Sequence, residues 1–407
     1  MLNSLMTLWG SVEMSFRESR LLAIATTMTF TSYLAQFMRS PIIPLYARDI
    51  GVSVGEVGLI SSAFMLVAST LAIPLGLVSD RLGRRGLILL GVALTTFASF
   101  LFPLAKSLAL LLVVNALAGL GSAAYSPSMT AFVGDLSKGR SIGRNLGLYS
   151  TAMQVAMSLG PAVGGAVGEF TSYETTFIVS GAIASIALLL GVLAIPKGHG
   201  AEEGQRGWKL EVDIHIASCW VATVATSYLW GVSSSYLPLF GQDLGLGTLE
   251  IGLMFAAQSL SNAIGRIPLG YISDRISPYP LLLAGLGLGT IVTATVTLLT
   301  SLASIMGLMA AFGLAIGTVT LIATMTVSRN LPQRSRGIGM GIYYMSFYGG
   351  MALSPAIMGQ VIASTNYQIG FGLTSIAGAA GLLVLALAWM RSRRKVTQHP
   401  PRDSRDN

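Results

Sequence analysis

Charge is scarce in this sequence of 407 residues. Lys, Arg, Asp and Glu together make up 10% of it, and it holds one cysteine and three histidines. The single cysteine, Cys219, excludes a disulfide framework and a cysteine metal site. His199, His215 and His399 are scattered along the chain. No metalloprotease helix, nucleophile elbow or phosphate-binding loop occurs, so no enzyme, cofactor or metal is expected. With 53% hydrophobic residues and a mean hydropathy of +0.69, a soluble domain is excluded as well.

Long apolar runs fill the chain instead. Stretches of roughly twenty residues, long enough to cross a bilayer, recur along nearly its whole length. They lie near 21–46, 57–79, 86–104, 108–133, 146–168 and 175–195, then near 213–239, 250–273, 279–300, 302–327, 338–363 and 368–390. Backbone groups in lipid must bond within their own segment, so each run reads as a helix. The fold class is an all-α membrane protein of twelve transmembrane helices, which places the chain in a lipid bilayer.

The two halves are copies of one plan. Ile73-Pro-Leu-Gly-Leu-Val-Ser-Asp-Arg81 returns as Ile267-Pro-Leu-Gly-Tyr-Ile-Ser-Asp-Arg275, an offset of 194 residues. Asp49, Gly51, Glu56 and Gly58 match Asp243, Gly245, Glu250 and Gly252 in the same register. Gly143, Tyr149 and Pro161 match Gly337, Tyr343 and Pro355. A repeat this long implies two six-helix bundles, 1–195 and 212–390. Residues 196–211, dominated by Gly and charge, read as a linker, and 391–407 as a basic, disordered tail.

Orientation follows from the basic residues. Of 25 Lys and Arg, Arg39 and Arg266 fall inside spans, Arg48 and Lys106 follow odd-numbered spans, and the other 21 lie at the termini or in even-numbered loops. That bias puts both termini in the cytoplasm, at the cell membrane. The net charge of +8 then faces anionic lipid headgroups. No soluble domain gathers it for nucleic acid. Residues 1–20 hold Glu13 and Glu18 and no apolar core, so no cleavable signal is expected.

Between spans two and three stands Gly76-x-x-x-Asp80-Arg81-x-Gly83-Arg84-Arg85. Gly76 and Asp80, four apart, share one helix face. Glycine there lets a neighbouring helix approach closely. A carboxylate at the end of that contact can accept free N–H groups at a partner helix's N-terminus. The loop resembles the signature of the major facilitator superfamily in every defining position. The resemblance extends over twelve spans, paired halves, a central linker and a degraded second copy at Gly270, Asp274 and Arg275.

This resemblance implies a monomeric secondary transporter of small molecules that works by rocker-switch alternating access. The loop would be its gate, with Asp80 latching to the start of span eleven near Gly337. Symmetry would pair Asp274 with the start of span five near Gly143, and family likeness adds Asp135 as a salt-bridge partner for Arg84. In the second copy Ser277-Pro278 replaces Gly-Arg and Arg329 stands in the place of Asp135, so the first-half latch is expected to dominate.

Gly160-Pro161-Ala-Val-Gly164-Gly165 in span five resembles the Gly-Pro motif of drug:proton antiporters, with Ala156 in place of its leading glycine. Pro161 breaks the helical hydrogen-bond ladder, and the glycines permit a kink and tight packing. Cargo candidates come from polar stripes. Thr26, Thr29, Tyr33, Gln36 and Ser40 recur on span one within an arc of roughly 80°. The repeat places Trp220, Thr223, Ser227, Trp230 and Ser234 on span seven, and span four adds Asn115, Ser122, Tyr125 and Ser126. The resemblance implies that spans one, four, seven and ten line a central cavity. The alternative is that these polar groups only bond neighbouring helices.

Arg39 either snorkels to the outer surface or borders the stripe as a fixed charge for an anionic group. Arg266 reads as a snorkelling side chain or a gate contact. No Asp or Glu lies mid-span, so a proton site is poorly marked; Glu56 is the candidate, although its repeat mate Glu250 suggests a helix-start role. Proton-linked efflux of amphipathic compounds is the first functional expectation. Uniport or symport of a small organic anion, favoured by Arg39, and a non-transporting sensor are the alternatives.

Overall fold

A computed structural model describes residues 16–136, 142–196, 213–273, 275–331 and 336–398. Among them the regular structure is helical throughout: α1 (Phe16–Arg39), α2 (Ile42–Asp49), α3 (Val54–Leu82), α4 (Arg84–Leu101), α5 (Leu108–Asp135), α6 (Ile142–Phe170) and α7 (Tyr173–Ala194) make the first half. The second half comprises α8 (Ile214–Asp243), α9 (Thr248–Ser273), α10 (Pro278–Thr295), α11 (Leu302–Asn330), α12 (Arg336–Ser364) and α13 (Tyr367–Gln398). The expected linker and most of the tail lie outside the described residues.

Helix ends show why the chain breaks where it does. Ser107, Ser172 and Ser301 cap α5, α7 and α11 with side-chain oxygens that accept first-turn N–H groups. Gly51, Gly83 and Gly245 turn the chain at φ of 89°, 96° and 81°, a region costly to any residue with a Cβ. Short 3-10 turns at Phe102–Leu104 and Val296–Leu298, 194 residues apart, finish the third and ninth spans identically.

Two expectations need correction. Span one is not one helix: α1 stops at Arg39 and α2 restarts at Ile42, because Pro41 cannot donate to the ladder. The last helix does not stop at 390 but continues to Gln398, since no Gly or Pro interrupts the sequence before Pro400.

Packing repeats with the sequence. In the first half α1 packs on α6 and α7, α3 and α4 on α5, and α4 on α7. In the second, α8 packs on α12 and α13, α9 and α10 on α11, and α10 on α13. The halves meet chiefly through two crossed pairs, α3 with α12 and α6 with α9. Eight spans are apolar enough to cross a membrane on length and composition alone, with α1 and α2 counted as one. The four outside that set are α6, α8, α9 and α12, three of which form the seams between halves, where small and polar residues replace lipid-facing ones.

Candidate functional site

The two seams are tight toward one face. We call the face bearing the ends of α1 and α13 the terminal face and the opposite one the far face. Toward the far face, a Cβ on Gly252 of α9 would overlap the Pro161 carbonyl of α6, and one on Gly165 would lie 2.6 Å from the Thr248 carbonyl. The repeat mates do likewise: a Cβ on Gly58 of α3 would overlap the Pro355 carbonyl of α12. Ser62 Oγ donates to the Ala352 carbonyl at 2.5 Å and Tyr236 Oη to that of Pro355 at 2.8 Å. At the rim Arg48 pairs with Asp243 at 2.5 Å, joining the halves.

Gly160 and Gly164 face the other way, onto α1, where added Cβ atoms would strike Phe37 and Met38. The Gly-Pro motif therefore holds α6 between α1 on one side and α9 on the other. The helix runs unbroken through Pro161.

Toward the terminal face, Cβ atoms on Gly76 and Gly270 would meet nothing within 4 Å among the described residues, and Ile264, Ile267 and Tyr271 of α9 are exposed. The partner expected for Gly76, the start of α12 near Gly337, has its side chains outside the described residues. The side chains of Asp80 and Arg81, and Asp274 as a whole, lie outside the described residues. Gly83 supplies the turn between α3 and α4, its φ of 96° explaining the need for glycine. Arg84 Nε lies 3.0 Å from Asp135 Oδ2, and Arg85 donates to the Val192 carbonyl at 2.9 Å, at the negative end of α7. Arg275 is exposed.

Aromatic side chains of the two halves gather as the two walls of a candidate cleft. On the first-half wall the Tyr33 ring stacks near Phe37 at 6.4 Å and tilts against Tyr125 at 6.5 Å between centroids. Tyr33 Oη bonds Ser126 Oγ at 3.0 Å. On the opposite wall Trp230 meets Phe347 edge-on at 5.7 Å, Phe347 meets Tyr348 at 5.4 Å, and Tyr344 stacks on Tyr348 at 6.4 Å.

Other candidates serve helix packing. Thr29 is fully buried, bonding the Ala25 carbonyl at 2.8 Å and Tyr125 Oη at 3.1 Å. Asn115 donates to the Ile60 carbonyl at 2.6 Å, tying α5 to α3. Ser227 is buried where α8 meets Gly350 of α12, and Ser234 bonds its own helix at Gly231. Gln36 is half-buried on α1. Glu56 closes a capping box, accepting the Ser53 N–H at 3.1 Å and hydroxyl at 2.5 Å.

Of the two span arginines, Arg39 departs from the snorkelling expectation. Arg39 is 3% exposed, so it does not snorkel. Its guanidinium lies 5.5 Å from the Phe102 ring and its Nε bonds the Ala35 carbonyl, which also accepts from Ser180 of α7. It faces α4 and α7, on the side of α1 away from the second half. Arg266 is half-buried on α9, where its Nε bonds Asn262 Oδ1 at 3.0 Å. Tyr344, Phe347 and Tyr348 escaped the sequence reading because their repeat mates Ser150, Met153 and Gln154 are not aromatic. Four aromatics within residues 343–348 were the available signal.

The model of the Major Facilitator Superfamily matches residues 25–218 and again 219–406. The chain belongs to this superfamily. It is a membrane transporter of small molecules and not an enzyme. A nitrite extrusion protein of Bacillus subtilis is 25% identical, over 95% of this chain and 98% of its own length. The quinolone resistance protein NorA of Staphylococcus aureus is 22% identical over 41% of this chain and 42% of its own. Among solved structures, a bacterial homolog of the human lysosomal transporter Spinster, inward-facing and occupied, superimposes with a TM-score of 0.75 at 17% identity, covering 93% of this chain and 97% of that one. The nucleoside transporter NupG gives a TM-score of 0.79 at 11% identity, covering 90% and 99%.

Proposed function

We propose that this transporter exports amphipathic organic compounds from the cell in exchange for protons, its halves rocking about the crossed seams. The supporting observation is the pair of aromatic walls, one from each half, with the seams packed closely toward the far face. Every described carboxylate stands in a first or last helix turn or at a cap, so the walls suit a flat, apolar solute. Protons would then act through groups at the gates. The terminal face is cytoplasmic in this reading, in the plasma membrane, with the chain acting as a monomer. NorA, a resistance protein by name, favours export of foreign compounds.

A second reading, transport of a small organic anion, is favoured by the half-buried Arg266 of α9 and by the nitrite extrusion relative. Purified protein in liposomes with an imposed pH gradient tests the first reading. Flux of an aromatic dye that follows the gradient supports it; flux indifferent to the gradient rejects proton exchange. Arg266→Gln separates the two, since it should cut anion flux by about ten-fold and spare cations if the second holds.

A further inference from the structure

Glu169 stands in the last turn of α6, in the first half. Its Oε2 accepts the backbone N–H of Thr248, the first residue of α9 in the second half, at 2.5 Å. That N–H is one of the donors a helix leaves free at its start, at the positive end of its dipole. The neighbouring donor, Gly247 N–H, is already held by Glu250 of α9 at 2.8 Å, so the two carboxylates divide the end of the helix between them. Gly247 is also what admits Glu169: a Cβ there would lie 2.8 Å from the Glu169 carboxylate. Beneath, Gly165 brings the two backbones together.

The repeat shows that this contact is not a by-product of the fold. Moving 194 residues on replaces Glu169 with Ala363, and Gly247, Thr248 and Glu250 correspond to Ser53, Val54 and Glu56. At the mate seam Ala363 merely touches the Gly55 position, and Glu56 serves its own helix. One seam is fastened by a carboxylate, the other by small-residue packing and the neutral hydrogen bonds of Ser62 to the Ala352 carbonyl and of Gln360 to the Gly55 carbonyl. Glu250 stands beside Glu169 at the start of α9, and Arg48 and Asp243 pair at the same face.

We propose that Glu169 is the positioning residue that holds the far mouth shut, by capping α9 from the other half of the molecule. It rests on the alternating-access reading. Releasing it loosens the far-face end of the α6–α9 seam as the halves rock. Neutralising this carboxylate therefore biases the protein toward far-face opening without touching the aromatic walls.

The test uses the full chain carrying Cys219→Ser, with spin labels at Leu104→Cys and Leu298→Cys, exposed repeat mates at the far ends of the two halves. Glu169→Ala should raise the ratio of far-open to far-closed molecules on the order of ten-fold, the scale of a lost charged cap. Glu169→Gln, which keeps an acceptor, should fall between. Gly247→Ala, with the carboxylate left in place, should reproduce the shift. An Ala or Gln variant whose distances match the unsubstituted protein's, while that protein still changes with solute, would overturn the role of Glu169. A distance fixed under all conditions would instead refute alternating access itself.

Discussion

At the residue scale, burial decides roles that side-chain type alone left open. Thr29, a cargo candidate by its stripe, is fully buried and ties α1 to Tyr125 of α5. Interhelical hydrogen bonds in lipid average about 0.6 kcal/mol, so Thr29→Val should lower thermal stability only slightly and leave flux intact. Arg39 was expected at a surface or at the polar stripe, and it is at neither. Its Nη1 has no hydrogen-bond partner among the described residues, so the charge costs more than it returns. Arg39→Met should be neutral to stabilising, by about 1 kcal/mol or more, with transport retained; loss of flux with normal folding would restore Arg39 to the site. Sequence could not settle this, because a shift of one position on α1 exchanges the cleft for the interior of the half.

At the element scale, helices and their ends were legible and their partners were not. Apolar runs located all twelve spans to within a few residues, since lipid leaves the backbone no other way to bond. The break before Ile42 is marked by Pro41, within a run that stays apolar on both sides of it. The aromatic row on α12 has no counterpart on α6, so the repeat does not point to it. Close contacts at the seams lie in glycines that composition spreads across the whole chain. Gly252→Val should leave insertion unchanged and reduce flux by more than about ten-fold, since its side chain would overlap the Pro161 carbonyl. Asp80→Asn should also lower flux without loss of membrane insertion, through the terminal-face gate. Wild-type flux in the first variant would mean that the far seam need not close, and in the second that the loop carboxylate does not latch.

At the scale of the whole molecule, the 194-residue repeat explains both the symmetry and its breaking. Matched seams at Gly58–Pro355 and Gly252–Pro161 give the halves a common axis about which to rock. Unmatched positions, Glu169 against Ala363 and Tyr344 against Ser150, are where the proposed latch and substrate walls depart from the repeat. A symmetric scaffold with asymmetric furnishings is what a carrier needs if its two faces are to open in turn. That turn-taking is tested most directly by paired distances in lipid bilayers. Spin labels at Val78→Cys and Ile272→Cys report the terminal face, and those at Leu104→Cys and Leu298→Cys the far face. Each pair should show two distances, with the terminal pair shortening as the far pair lengthens when solute is added. Distances that stay single, or that lengthen together at both faces, would contradict alternating access.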